Sequence, residues 1–153
     1  MRVTIGSYKN FDDGERDRKI QVRIDPWDTW NMDQTLSYII LPMLKQLRAT
    51  KHGAPNVDIE DCPDHLKPTT KEIAAHKNAG EVDMNSLHAT SDSDHFFARW
   101  DWVLDEMIFS FENIEWGRSG LYAPIEQPGS TEYEARIKNG FALFGKYFQS
   151  LWD

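Results

Sequence analysis

Cysteine is nearly absent from this sequence of 153 residues, in which Cys62 stands alone. A single cysteine cannot form a disulfide within the chain and offers no second thiol to complete a zinc site. The sequence also has no apolar run near the ~20 residues that a transmembrane helix needs, and its first residues lack the apolar core of a signal peptide. We therefore expect a cytoplasmic protein that does not contact a membrane.

Positive charge is scarce, since 17 lysines and arginines are outnumbered by 25 aspartates and glutamates, for a formal net charge of −8. The basic residues are dispersed, whereas sequence-independent binding to nucleic acid needs clustered Lys and Arg. The chain also has no P-loop, GxGxxG, GxSxG or HExxH motif. We expect neither a nucleic-acid partner nor a cofactor, but a local basic pocket for one small anion stays open.

Three apolar periodicities are present, and they predict long helices near residues 29–50, 94–115 and 131–152. The length and the 40% apolar content suit a single domain over residues 1–153. The stripes expected to face the core are, in chain order, Met32, Leu36, Ile39, Ile40, Met43, Leu44 and Leu47; Phe96, Trp100, Val103, Leu104, Met107, Ile108 and Phe111; Tyr133, Ile137, Phe141, Phe144, Phe148 and Leu151.

Residues 1–7 and 18–24 are short β-branched runs with a turn signal at Asp13-Gly14 between them, which predicts a β-hairpin. Two strands alone are marginally stable, so the hairpin should lie on the helices or pair with another chain. The predicted fold is α+β and α-dominated, with an N-terminal β-hairpin packed on three long helices. Pro42, inside the first helix, predicts a kink.

The second helix has large side chains on both sides, because Trp102 and Phe109 project away from its core stripe, with Arg99 and Glu106 beside them. Such a helix is covered twice, by its own core and by another part of the chain, a subunit or a ligand. Tyr38 and Leu41 project away from the first stripe in the same way. We expect a homo-oligomer, most simply a two-fold dimer.

Several acidic residues invite a metal interpretation. Residues 58–65 hold clustered carboxylates, but the glycine-centred spacing of a calcium loop is absent, and Asp61 could instead cap a short helix that begins at Pro63. Asp101 and Asp105, with Asp33 and Glu106, could imitate the magnesium site of helical nucleotide pyrophosphatases, although the ExxE spacing is missing. We therefore predict no metal ligand, and a metal-dependent nucleotide hydrolase stays as an alternative.

The stretches IDPWDTWNMDQTL, ILPMLKQLRATKHGAPNVDIEDCPDHL, RWDWVLDEMIFSFE and NGFALFGKYFQSLWD resemble a widespread set of uncharacterised small proteins encoded by tailed bacteriophages. The resemblance covers most of residues 20–153. It implies action in the cytoplasm of an infected bacterium, and since that family has no known activity, it assigns no catalytic residue.

The remaining unusual residues favour a binding protein over an enzyme. Asp33 lies at the edge of the first apolar stripe. It is either a first-turn acid that faces solvent or a residue of a binding site. Tryptophans stack on bases, cations neutralise phosphates, and Asp or Asn bind base edges or ribose. We predict a phage counter-defence protein that sequesters a phosphorylated nucleotide signal without cleaving it. Besides the metal-dependent nucleotide hydrolase, a second alternative is an inhibitor that binds a host enzyme. The predicted ligand-binding residues are Trp27, Trp30, Asp33, Lys51, Arg99, Trp102, Glu106, Asn139 and Lys146.

Overall fold

The computed structural model describes residues 1–6, 20–68, 95–114 and 131–152 of the chain. These residues belong to two compact units, Met1–Ile39 and Ile40–Asp153. The predicted turn at Asp13-Gly14 lies outside the described residues. The prediction of a single domain over residues 1–153 stays a prediction.

The first unit contains the predicted hairpin. Strand β1, Arg2–Ile5, pairs antiparallel with strand β2, Ile20–Arg23. A one-turn 3-10 helix, Pro26–Thr29, follows and is closed by the Asp25 amide, which donates to the Asp28 carboxylate over 2.8 Å. The side chain of Asp28 therefore serves this turn and not the start of the first long helix.

Three long helices are present, as predicted: α1 at Met32–Thr50, α2 at Phe96–Glu112 and α3 at Thr131–Lys146. The fold is therefore α+β and helix-dominated, with an N-terminal antiparallel hairpin. Helix α1 is continuous through Pro42. Helix α3 ends earlier than predicted, and a 3-10 turn, Phe148–Ser150, follows it. Within the described residues, no helix is both long and apolar enough to span a membrane.

The core of the second unit is built around α2. Trp100, Val103, Leu104 and Met107 are completely buried there, so the predicted α2 stripe is confirmed at its centre. The other core residues come from α1, from the segment 51–68 and from the end of the chain: Leu44, Val57, Cys62, Leu66, Phe111, Leu143 and Tyr147.

The covered face of α1 differs from the predicted one. Leu44 is buried, but Met43 is 62% exposed, and Leu41, predicted to point away from the core, packs against it. Arg48 binds Asp105 on α2 on this covered side. Periodicity finds the apolar residues of a helix, but a neighbouring element decides which of them it covers.

Helices α2 and α3 approach closely at Gly140. A Cβ atom there would overlap Ser110 Oγ and the carbonyl of Glu106, so only glycine fits. Gly140 therefore compensates for its weak helix propensity by close packing, while Gly145 has nothing within 4 Å of an added Cβ. Leu143 is not part of the predicted α3 stripe, yet it is 3% exposed because it shares the covered side of α3 with Gly140.

Candidate functional site

Arg99 is the most unusual charged residue of the structure. It lies in the first turn of α2, only 3% of its surface is exposed, and its Nε donates to the carbonyl of Leu66 over 2.8 Å. Within the described residues, no carboxylate pairs with it and no acceptor lies at Nη1 or Nη2. A guanidinium has five N–H donors, so most of its hydrogen-bonding capacity is unused by these residues.

The next residue, Trp100, adds a second buried donor. Its side chain is completely buried, its ring contacts Tyr147 edge-on with the centroids 5.8 Å apart, and its Nε1 has no acceptor among the described residues. A buried N–H group is almost always paired with protein or with ordered water. Two consecutive residues of α2 therefore present unused N–H groups inside the second unit.

The segment 51–68 supplies one wall beside Arg99. It carries two one-turn 3-10 helices, Ile59–Asp61 and Asp64–Leu66, and the carbonyl that binds Arg99 belongs to the second. Burial raises the pKa of the Cys62 thiol, and the charge of Arg99 partly opposes that rise. Cys62 is therefore a protonated, buried thiol beside the guanidinium, which makes it a poor nucleophile.

A polar cluster joins the same segment to Lys146, the last residue of α3, and to Tyr147, which follows it. Lys146 Nζ lies 2.6 Å from Asp58 Oδ2 and 2.7 Å from Asp61 Oδ2. The Tyr147 hydroxyl donates to Asp61 over 2.5 Å and accepts from the Asp58 amide over 2.9 Å. Asp61 therefore holds Tyr147, and the predicted helix cap was wrong: the N-cap of the turn that follows is Pro63.

This cluster changes the acid-base properties of its members. Hydrogen bonds to Asp58 and then to Asp61 raise the pKa of Lys146. Burial, followed by the bond to Asp61, raises the pKa of Tyr147. Both groups therefore keep their protons well above neutral pH, and Lys146, a predicted phosphate ligand, is already neutralised by two carboxylates.

A second network joins α1 to α2 and includes Lys51. Lys51 and Arg48 both bind the Asp101 carboxylate, and Arg48 also binds Asp105 over 2.9 Å. The lysine side chain is only 9% exposed. Asp101 and Asp105, two of the carboxylates that the hydrolase alternative needs, are thus bound by cations. The described residues contain no group of three His, Cys, Asp or Glu side chains that could hold a metal ion.

The outer side of α2 is covered within the chain. Arg136 of α3 binds Glu106 through Nε and Nη2, at 2.9 and 2.7 Å, and its guanidinium lies 3.8 Å from the centroid of the Phe109 ring. Phe109 also contacts Tyr133, and Trp102 packs against the core. Of the three predicted covers for this side, the structure has the intramolecular one, so Glu106 is neutralised and Trp102 is largely enclosed.

Sequence reasoning missed Arg136. One signal was available, because Arg136 precedes Gly140 by one helical turn and so shares the side of α3 that approaches α2.

The three predicted residues near the start of α1 belong to the first unit. Trp27 and Trp30 are 70% and 77% exposed and contact each other edge-on, with centroids 4.9 Å apart. Asp33 is half-buried, and one of its oxygens accepts from the Gln34 amide over 3.0 Å. Exposed indole faces can stack on a base, and the binding role of this pair stays a prediction.

An apolar groove of about 670 Å³ lies between α1 and the end of the chain. Its polar lining consists of Gln46 and Thr50, and the Thr50 hydroxyl donates to the carbonyl of Gln46. Met43, Phe148 and Trp152 are each more than half exposed along it. Its volume lies within the usual range of ligand pockets, about 300–1,000 Å³.

The predicted site residues thus fall into two units: Trp27, Trp30 and Asp33 in the first, and the others, among them the exposed Asn139, in the second. No protein family matches the chain, and neither a curated protein nor a solved structure was found to be similar to it. Arg99 is the one predicted phosphate ligand that no carboxylate neutralises within the described residues.

Proposed function

We propose that the protein binds a small phosphorylated nucleotide without cleaving it, as a sequestering protein of a bacteriophage acting in the cytoplasm of the infected bacterium. The observation that carries this proposal is the burial of Arg99 with no carboxylate partner in the described part of the chain. The phage setting comes from the sequence resemblance, and the nucleotide from the tryptophans and polar residues that accompany the arginine in the sequence.

The physical argument starts from the cost of a buried charge. Removing an ion from water costs several kcal/mol, and a buried cation is normally paired. The single bond from Nε to the Leu66 carbonyl leaves Nη1 and Nη2 without an acceptor among the described residues. These two groups form a planar fork that matches two oxygens of a phosphate. A bound phosphate would therefore supply the missing counter-charge.

The side chains described in the second unit favour sequestration of a nucleotide over its hydrolysis. Hydrolysis by the pyrophosphatase route needs carboxylates that are available to magnesium, whereas Asp101 and Asp105 are bound by Arg48 and Lys51. A protonated, buried Cys62 provides no nucleophile beside Arg99. Arg99 can therefore bind an anion, and the thiol beside it is not activated to attack that anion.

The test compares Arg99→Lys and Arg99→Ala with the unmodified chain by calorimetry against a panel of cyclic and linear nucleotides. Losing a charge-assisted bond to phosphate costs about 1.5–3 kcal/mol, which is about ten- to a hundredfold in affinity. Lysine keeps the charge and can donate to Leu66, so it should preserve folding while losing the two-pronged contact. Lys67→Ala is the matched control, because Lys67 is an exposed cation next to Leu66 and is bound to Asp64 over 2.8 Å.

Chromatography of the recovered ligand separates binding from chemistry. Intact nucleotide after denaturation supports sequestration. A cleaved product that requires magnesium and disappears in Asp105→Asn would instead support the hydrolase. Binding that is equally strong in all three variants would remove Arg99 from the site.

A second candidate function, an inhibitor that binds a host enzyme, is favoured by the apolar groove. Phe148 and Trp152 are 62% and 58% exposed beside Met43, and such a groove suits the apolar face of a partner helix. Trp152→Glu should then release a host protein that the unmodified chain retains. Gln149→Glu should retain it, because Gln149 is exposed on the turn Phe148–Ser150 and does not line the groove. Loss in both variants, or in neither, argues against the groove.

We also propose that the protein is a homodimer. The expected interface through Trp102 and Phe109 loses support, because those side chains are contacted within the chain. Tyr38, by contrast, is 72% exposed. Light scattering at micromolar concentration tests the dimer, and the mass of one chain would contradict it.

A further inference from the structure

Residues 57–67 of the second unit, which we call the double turn, contain the two one-turn 3-10 helices of the segment beside Arg99. Their backbone bonds are local, because the amides of Asp61, Cys62, Leu66 and Lys67 each donate to a carbonyl three residues earlier. Such bonds survive when a segment moves as a whole, since donor and acceptor move together. The double turn can therefore leave its position without losing its own hydrogen bonds, as a local opening unit does.

Tyr147 holds the first of the two turns. Its hydroxyl accepts from the Asp58 amide over 2.9 Å and donates to the Asp61 carboxylate over 2.5 Å, so one buried group binds both ends of the turn. Lys146 binds the same two carboxylates, but its side chain is 43% exposed and solvent weakens such pairs. Among the described residues, the Tyr147 hydroxyl is therefore the main polar contact that keeps the first turn in place.

The second turn lies against Arg99. The Leu66 carbonyl accepts from Arg99 Nε over 2.8 Å, and Cys62, between the two turns, is close enough for the guanidinium charge to oppose the rise in the pKa of its thiol. Because Arg99 is only 3% exposed, a phosphate can reach Nη1 and Nη2 only after a covering segment has moved. In the described part of the second unit, the double turn is a segment in contact with Arg99 that has no bonds of a long helix to break.

We propose that the double turn is a lid over Arg99, held closed by the Tyr147 hydroxyl, which opens as a unit to admit the phosphorylated ligand. This inference rests on the proposed function and adds what controls entry to its site. The bond from Nε to Leu66 orients the planar guanidinium, so Nη1 and Nη2 bind a phosphate best when the lid is closed. Release then requires the rare open state, and slow release suits a protein that sequesters its ligand.

Cys62 reports the opening of the lid, because it is the one cysteine of the chain. It lies between the two turns with 4% of its surface exposed, so a maleimide reaches its thiol only after the lid has opened. When opening and closing are fast relative to modification, the rate of modification follows the population of the open state. Mass spectrometry of the intact chain measures that rate at constant pH.

The experiment compares Tyr147→Phe with Tyr133→Phe, each of which removes one hydroxyl from the second unit. Tyr147→Phe keeps the ring that contacts Trp100 and loses the bond to Asp61. It should accelerate the modification of Cys62 about ten- to a hundredfold, as for a hydrogen bond to a charged group. Tyr133 donates to Asn113 over 2.6 Å at the other end of α3, so Tyr133→Phe should leave the rate unchanged. Circular dichroism checks that the helices persist in both variants.

Inorganic phosphate tests whether the lid closes over an anion site, with chloride at the same ionic strength as the control. Phosphate should slow the modification of Cys62 in the unmodified chain and in Tyr147→Phe, because a ligand that binds the closed state lowers the population of the open one.

An unchanged rate in Tyr147→Phe would overturn the lid, even if calorimetry finds a bound nucleotide. Acceleration of both variants in proportion to their losses of stability in urea would also overturn it, because Cys62 would then react through global unfolding. Acceleration in Tyr147→Phe alone, with no effect of phosphate, would support the lid and contradict the anion site at Arg99.

Discussion

The two units of this chain differ in how far they bury their apolar residues: among the described residues, all the buried apolar side chains belong to Ile40–Asp153 and none to Met1–Ile39. In Ile40–Asp153, α2 is enclosed so fully that Trp100 has no exposed surface, while in Met1–Ile39 Trp30 is 77% exposed. The same residue type thus serves as a core residue in one unit and as an outward-facing surface in the other. Burial inside one chain stabilises its fold, whereas exposed aromatic surface is available to a partner.

The charged residues of the second unit also differ from one another, in whether they are paired with an opposite charge. Glu106, Asp101 and Asp61 are each bound by at least one cation, so the packing of the helices leaves few charges uncompensated. Among the described residues two charged side chains are buried: Glu106 is paired with Arg136, whereas Arg99 has no carboxylate partner. This buried cation without a carboxylate is the reason for placing the anion site there.

The largest expected difference in the free energy of unfolding is between variants of Trp100 and Trp30. Trp100→Ala should lower the free energy of unfolding by about 3–5 kcal/mol, because it leaves a large cavity among core residues. Trp30→Ala should change it by less than about 0.5 kcal/mol, as for an exposed side chain. Urea unfolding followed by circular dichroism, at concentrations low enough to keep the chain monomeric, measures both. Equal losses would mean that the units do not differ as described.

A smaller effect contrasts the two glycines of α3. Gly140→Ala should destabilise the protein by about 1–3 kcal/mol, because the added methyl group overlaps Ser110 and the Glu106 carbonyl. Gly145→Ala should stabilise it by up to about 1 kcal/mol, because alanine is the better helix former and meets no neighbour there. Thermal unfolding of the two variants shows whether each substitution raises or lowers the stability of the protein. A stabilising Gly140→Ala would contradict the close approach of α2 and α3.

The smallest expected effect is a loss of folding stability in alkaline solution, through Tyr147 and Lys146. Since the pKa of Tyr147 is raised from its ordinary value of 10.0, the folded protein retains a proton that the unfolded chain loses. The contribution to stability is therefore fully present below pH 10 and is lost as the pH rises further. Lys146 contributes with the same sign.

Urea midpoints between pH 8 and pH 11 test this dependence. Tyr147→Phe should show a shallower decline above pH 10 than the unmodified chain, without becoming flat, because Lys146 remains. An identical decline in the two proteins would assign the effect to other groups.

The sequence by itself determined the elements, since helix and strand periodicities are local properties of neighbouring residues. The hairpin and the three long helices could be predicted for that reason. Trp27, Trp30 and Arg99 were also named from the sequence as ligand-binding candidates, and that role stays a prediction.

Only the tertiary structure decided which side of each helix is covered and which charges are paired. Leu41 packs inward, contrary to the prediction, and Leu143, which the predicted stripe left out, is buried, because a neighbouring element lies on that side of each helix. The bond from Arg99 to Leu66 joins residues 33 positions apart, and the pair of Glu106 with Arg136 joins residues 30 apart. No local spacing encodes such contacts, because they exist only after the helices and the segment 51–68 have packed together.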